Sequence, residues 1–348
     1  MVHLLRFARL VLAACTVAAI PTTQRQSRRD DGLPLPVGEV FRFPLGGSPE
    51  ALAFRPNGKL LVNLLAPEAS TYQIDVEEGC AKRVTTIPGI NALYGIAETQ
   101  PDHFFVAGGR INLRESTREI DSFAVWLLDL TSFDETGEAV VSKVSNFPKA
   151  TLNGMWTLDA EAGLILATDS TNGVIYRLDV NTGDNEIVID DPVLKIPANA
   201  AVSLGPNGIE VRDGYLYATN TAAGTFNRIP IDAKGVQTGP GEVLARNPGG
   251  ILGGDDWVFD AEGNAFVGGN PNRWLSVIRP GSSTPEIITA NTTDSVLKGP
   301  TSARFGVSES DVSEGRLYLG DNGGIAQYRS GNFTQGGGVY YIDTVGLF

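Results

Sequence analysis

One unit recurs six times along the 348 residues: a polar residue at a turn, a short apolar run, a tight turn and a second apolar run. Its plainest copy is Gly205-Pro206-Asn207-Gly208-Ile209-Glu210-Val211, a turn at Arg212-Asp213-Gly214, then Tyr215-Leu216-Tyr217-Ala218-Thr219. Two such runs around a Gly-containing turn predict a β-hairpin. The other copies open at Ser48-Pro49-Glu50, Leu93-Tyr94-Gly95, Leu152-Asn153-Gly154, Gly254-Asp255-Asp256 and Gly299-Pro300-Thr301. They recur at roughly 45 to 60 residues, the length of one four-stranded propeller blade.

A strand at Glu39-Val40-Phe41-Arg42-Phe43 precedes the first unit without a partner of its own, while Gly338-Val339-Tyr340-Tyr341-Ile342-Asp343 completes the sixth. Pairing the two closes a ring and leaves no open sheet edge. The expectation is an all-β, six-bladed β-propeller over residues 37–348, its ring closed by the N-terminal strand joining the last blade. The competing reading is a large sandwich whose hairpins are alike by accident. The 41 glycines and 20 prolines between short apolar runs fit either all-β class and argue against a helical one. The charge-rich residues 112–122 read as an excursion between strands of the second blade that overhangs a pocket.

Residues 1–20 carry Arg6 and Arg9 followed by an apolar run over 10–19 and small residues, the pattern of a secretory signal peptide. The run is far short of the roughly 20 residues that span a bilayer, and no later stretch is longer, so membrane insertion is not expected. Residues 21–36 form a polar leader, in which Arg28-Arg29 marks either a trimmed pro-segment or a disordered lead. Cleavage removes Cys15 and leaves Cys80 alone, so the core and not a disulfide must hold the fold. Asn291 and Asn332 stand in glycosylation triplets of a secretory-pathway protein. The formal charge of −13 becomes −15 once Arg6 and Arg9 leave, because 25 basic residues then face 40 acidic ones. Nucleic acid is thereby excluded as a partner. Nothing in the chain signals an oligomeric state.

In a propeller the turn before each innermost strand lies at one mouth of the channel, so equivalent positions converge there. Those positions are Glu50, Tyr94, Asn153, Asn207, Asp255 and Thr301. Carboxylate and amide oxygens without thiols or imidazoles suit a hard cation, Ca²⁺ by ligand type, with Asp256 as a further oxygen. Singly, an Asn or Asp before Gly is ordinary turn chemistry. Glu50 sits where no turn demands Glu.

The motifs Ser48-Pro49-Glu50, Leu152-Asn153-Gly154, Pro206-Asn207-Gly208 and Asp255-Asp256-Trp257 resemble those of the SMP-30/gluconolactonase and paraoxonase-like six-bladed propellers, over nearly the whole mature chain. The resemblance implies Glu50, Asn207 and Asp255 as metal ligands and Asn153 as a ligand or substrate contact. It implies no organic cofactor. Two departures stand out. The sugar-lactone hydrolases of this family carry an Arg two residues before the Asn matching Asn153, where this chain has Thr151. Paraoxonases use a His pair as general base, whereas the histidines here are His3, in the signal, and His103, read as a packed strand residue.

Aromatic and soft residues near the motifs, Trp156, Trp257 and Met155 among them, either pack between blades or make a mouth less polar than a sugar enzyme needs. With Thr301 they are the expected contacts for a small hydrophobic substrate. The resembling secreted fungal group includes hetero-Diels-Alder cyclases that join a tropolone-derived quinone methide to a humulene-type terpene. That chemistry needs a dry pocket, orientation and hydrogen-bond donors rather than a nucleophile, and Tyr94, Asn153 and Asn207 are the expected donors. A calcium-dependent lactonase or esterase is the alternative, and a non-catalytic binding propeller the third reading.

Overall fold

The computed structural model describes residues 32–246, 253–289 and 295–347. The expected signal peptide, the expected leader up to residue 31 with Arg28-Arg29, and Asn291 therefore lie outside the described residues. From Gly32 onward the chain forms a single compact unit. Leu35 bridges to Thr289 before the first strand begins at Gly38.

Six antiparallel four-stranded sheets follow in chain order. The innermost strands are Ser48–Phe54, Ala92–Gln100, Leu152–Asp159, Pro206–Arg212, Trp257–Phe259 and Pro300–Phe305 for blades 1 to 6. Each one neighbours the next, and the sixth neighbours the first, so the ring is continuous. Gly38–Arg42 pairs antiparallel with Gly338–Asp343 as the outer strand of blade 6. The ends of the propeller are thus closed by hydrogen bonds within one sheet.

The core lies between blades. Leu52, Leu60 and Val62 of blade 1 meet Tyr318 and Val339 of blade 6, and Leu166 and Ile175 of blade 3 meet Ile209 and Leu216 of blade 4. Each fully buried Leu or Val contributes roughly 1.5–3 kcal/mol, and the alternation of each strand supplies one apolar face to each neighbour. Cys80 opens the outer strand of blade 1, and hydrogen bonds and an ion pair between blades add to the apolar packing that joins them.

Helices are short: Phe133–Thr136, Glu309–Glu314 and Ile325–Ser330. The second is started by a capping box, in which the Ser308 hydroxyl accepts from the Asp311 backbone N–H and the Asp311 carboxylate accepts from that of Ser308. Within blade 2 the expected excursion folds as a two-stranded ribbon, Ile111–Asn112 against Thr117–Arg118. No helix among the described residues is long and apolar enough to cross a membrane.

Candidate functional site

Five of the innermost strands break their pairing register where the polar column stands. The shifts fall at Pro49/Ala51, Leu93/Ile96, Leu152/Met155, Pro206/Ile209 and Pro300/Ser302, which releases Glu50, Tyr94, Asn153, Asn207 and Thr301 from the regular ladder. A bulge of this kind re-aims a side chain. In blade 5, Asp255 takes the same place just before the strand starts at Trp257.

Glycines bring these bulges together. A Cβ on Gly95 would lie 2.3 Å from the Asn153 carbonyl oxygen, one on Gly154 would lie 2.3 Å from that of Asn207, and one on Gly208 would lie 2.3 Å from the Asp256 carboxylate. Only a residue without a side chain permits each inner strand to lean on the next so closely. Side chains from the second strands then tie the same backbone. Asn63 Nδ2 donates to the Tyr94 carbonyl (2.8 Å), Thr168 Oγ1 to that of Asn207 (3.0 Å) and Thr219 Oγ1 to that of Asp255 (2.7 Å).

Glu50, Tyr94, Asn153, Asn207 and Asp255 all line one cavity of about 320 Å³. Much of its wall is apolar, with Leu65, Ile111, Leu113, Val202, Leu204 and Ile325. Thr301 does not reach it: the side chain is buried and its hydroxyl donates to the Pro49 carbonyl at 3.1 Å, holding the strand that carries Glu50. Asp256 faces away and pairs with Arg304 at 3.3 Å.

The aromatic contacts expected at the mouth lie elsewhere. Trp257 is 1% exposed, packed edge-on against Phe226 and Phe259, with Nε1 donating to the Gly208 carbonyl at 3.0 Å. Trp156 packs against the apolar layer between blades 3 and 4, and Met155 is buried with Tyr94 and Phe123. On an inner strand alternate side chains must fill the gap between blades, and these large ones do so. His103 opens its strand beside the Pro101 carbonyl, away from the cavity.

The cavity floor is acidic. Burial pushes the Glu50 carboxyl well above its usual range, the charges of Asp255 and Asp256 push the same way, and Arg118 opposes them. Asp255 is raised to about 7, chiefly by burial, against a hydrogen bond from Asn270 (Nδ2 to Oδ2, 2.8 Å). Burial also raises the Tyr94 phenol, which therefore stays protonated near neutrality, with Arg118 again opposing. Asn207 Nδ2 donates to Thr221 Oγ1 at 3.1 Å, and no donor among the described residues engages its Oδ1. Two buried carboxylates whose charge nothing on the floor balances, beside two amides, make an oxygen donor set that fits a hard divalent cation.

Comparison with known proteins places this geometry. No protein-family model matches the chain. A calcium-binding regucalcin from Agrobacterium tumefaciens superposes with a TM-score of 0.63 at 17% identity, covering 90% of this chain and 95% of that one. A protein provisionally named a gluconolactonase gives 0.57 at 14% identity, over 89% and 92% of the two chains. The fold is that of the regucalcin and gluconolactonase propellers.

Within this propeller type, two sequence relatives carry a narrower name. A provisionally named hetero-Diels-Alderase of Sarocladium schorii is 28% identical over 227 residues, 59% of this chain and 56% of that protein. The chain thus spans little more than half of that relative's length. A second, from a Phoma species, is 26% identical over 302 residues, 81% of this chain and 86% of its own.

Measured on the regucalcin-type scaffold, the sequence column finds the floor and misses the walls. The excursion supplies Asn112, Thr117 and Arg118, the loop before blade 4 supplies Ser203 and Leu204, and the helix Ile325–Ser330 supplies Arg329. Residue 151 supplies no cation, whereas Arg118 of the excursion lines the cavity. Its one sequence signal was the charge density of residues 112–122, which showed an excursion but not which of its charges turns inward.

Proposed function

We propose that this chain is an enzyme of fungal secondary metabolism that binds a hydrophobic small molecule in the axial cavity, and that its reaction is an intermolecular hetero-Diels-Alder cyclisation of the tropolone sesquiterpenoid type. The observation that carries the reading is the cavity itself: a largely apolar wall over a floor of hydrogen-bonding groups, in a chain whose sequence relatives bear the hetero-Diels-Alderase name. Such a cycloaddition forms one C–C and one C–O bond with no leaving group and no net proton transfer. The protein's part is to hold both partners in a productive orientation and to polarise the heterodiene carbonyl. Tyr94, kept neutral by burial, and the amides of Asn153 and Asn207 are the donors at the floor. The test is product formation by purified protein with both partners, against the spontaneous rate. Acceleration that falls at least tenfold in Tyr94→Phe or Asn153→Ala is expected, and no acceleration by the wild type overturns the reading.

The acid floor favours a second reading, a calcium-dependent lactonase or esterase. Glu50, Asn207 and Asp255 would hold the ion, with Asn153 beside them, and the bound ion would supply positive charge to a substrate carbonyl. Asp255 or Glu50 would take the proton of the attacking water. Hydrolysis of a lactone panel abolished by EDTA would select this reading. Ligand binding without turnover in either assay would select a binding propeller. We further infer entry into the secretory pathway from residues 1–20, and glycosylation at Asn291 and at Asn332, the latter exposed in a surface segment. N-terminal sequencing of the mature protein tests the cleavage.

A further inference from the structure

Arg118 is a cation with unspent bonding capacity. It stands on the inner side of the blade 2 ribbon, opposite Ile111, and lines the axial cavity. The ribbon is pinned at its base. Arg110 pairs with Glu119 and donates to the Gly89 carbonyl at 2.9 Å, and Asn91 exchanges two bonds of 2.8 Å with the backbone of Ile111. Arg110 thus spends its charge on the ribbon. Arg118 has no carboxylate partner of this kind among the described residues, and its Nε is buried with no hydrogen-bond partner at all.

An unsatisfied buried donor costs about 1–3 kcal/mol, so a guanidinium held this way on an anchored ribbon calls for a ligand acceptor. Arg118 also stands at a border. A neighbouring cleft of about 450 Å³, between Glu119 and Ile120 of the ribbon and Ala150 and Thr151 of blade 3, shares Arg118 and Ser203 with the axial cavity. Arg329, the other cation at the rim, is exposed on its helix.

We propose that Arg118 is the ligand-binding cation of this site: its guanidinium takes an oxygen of the bound molecule, a conjugated ketone, enolate or carboxylate, and holds it above the floor formed by Glu50, Tyr94 and Asp255. The planar fork matches two lone pairs at once, as an α-hydroxy ketone presents them. Tyr94, near enough to feel the charge of Arg118, lines the same cavity. The inference rests on the reading of the axial cavity as a small-molecule site and deepens it to a ligand class, flat and oxygen-bearing.

The test is calorimetric titration of the full chain with two probes, tropolone and the hydrocarbon azulene, against wild type, Arg118→Gln and Arg118→Lys. Tropolone binding should weaken at least tenfold in Arg118→Gln, about 1.4 kcal/mol, and recover in part in Arg118→Lys, while azulene binds all three alike. Unchanged tropolone affinity in Arg118→Gln overturns the proposal. So does an equal loss for both probes, which marks a structural role, or failure of the wild type to bind tropolone. Should Arg118→Gln not fold, Arg118→Lys carries the comparison, and an unaltered tropolone affinity there with an unaltered tropolone-to-azulene ratio overturns it equally. Selective loss of tropolone in a protein that accelerates no cycloaddition leaves this assignment standing and removes the cyclase reading.

Discussion

Glu50 and Arg55 belong to one inner strand and its following turn, and both are buried, yet their surroundings are opposite. Arg55, 1% exposed, spends every arm of its guanidinium: Nε and Nη2 grip Asp102 at 2.8 and 3.0 Å, Nη1 reaches Gln73 and Asp134 at 2.6 and 2.7 Å, and Nη2 also meets the Leu130 carbonyl at 3.3 Å. Burial works against its charge, and the bonds to Asp102 and Asp134 more than offset this. Glu50 has the like charges of Asp255 and Asp256 for neighbours, opposed by Arg118 without a bond to it. A buried ion that is fully matched binds blades 1 and 2 together and has nothing left to give a ligand. One held among like charges is costly to the fold and useful to a ligand or a metal ion.

The contrast can be broken at four points. Arg55→Met, which leaves Asp102 and the Leu130 carbonyl without their partner, should cost about 3–5 kcal/mol in urea unfolding; a loss under 1 kcal/mol would make that cluster ornamental. Glu210 gives the pH test. Burial foremost raises its carboxyl to about 7 from an ordinary 4.5. The folded state therefore holds a proton that the unfolded state releases, so stability is full below about pH 4.5, declines as pH rises to about 7, and is flat above. The fall is about 3 kcal/mol for this group, and Asp255 and Glu50 add to it in the same direction. Unfolding midpoints across that range, less steep in Glu210→Gln than in wild type, are the expected record.

Calcium supplies the third comparison. At a hundredfold excess over its dissociation constant the ion should stabilise the wild type by about 2.7 kcal/mol, seen as a higher melting temperature than in EDTA, and should leave Asp255→Asn unmoved. Equal responses of the two proteins would take the ion away from the floor. The smallest effect belongs to Trp257→Phe. Losing the bond to the Gly208 carbonyl should cost about 1 kcal/mol while leaving ligand affinity unaltered, and weakened binding would return this side chain to the site.

The blades were legible because each is local. A turn, two alternating runs and another turn lie within one short segment, and the strand Pro206–Arg212 and its hairpin partner Tyr215–Asn220 fall where the pattern puts them. Ring symmetry then made the column legible too, since equivalent positions in equivalent units must meet. It failed at Thr301, whose short hydroxyl finds a backbone acceptor in the next blade before it can reach the cavity. It failed more broadly for Trp156, Trp257 and Met155, because nearness in sequence to a site residue says nothing about which face of a strand a side chain takes. Arg118 was hidden for a different reason. No periodicity governs how an irregular excursion folds back over a mouth.

The three glycines that let neighbouring inner strands touch also limit what inheritance can alter. Any side chain added at Gly95, Gly154 or Gly208 would strike the next blade, so the base of this site is a socket that tolerates little tinkering. The ribbon above it meets no such constraint along residues 112–117. New substrates are therefore best reached by exchanging the ribbon while the socket is kept, much as one handle takes many blades.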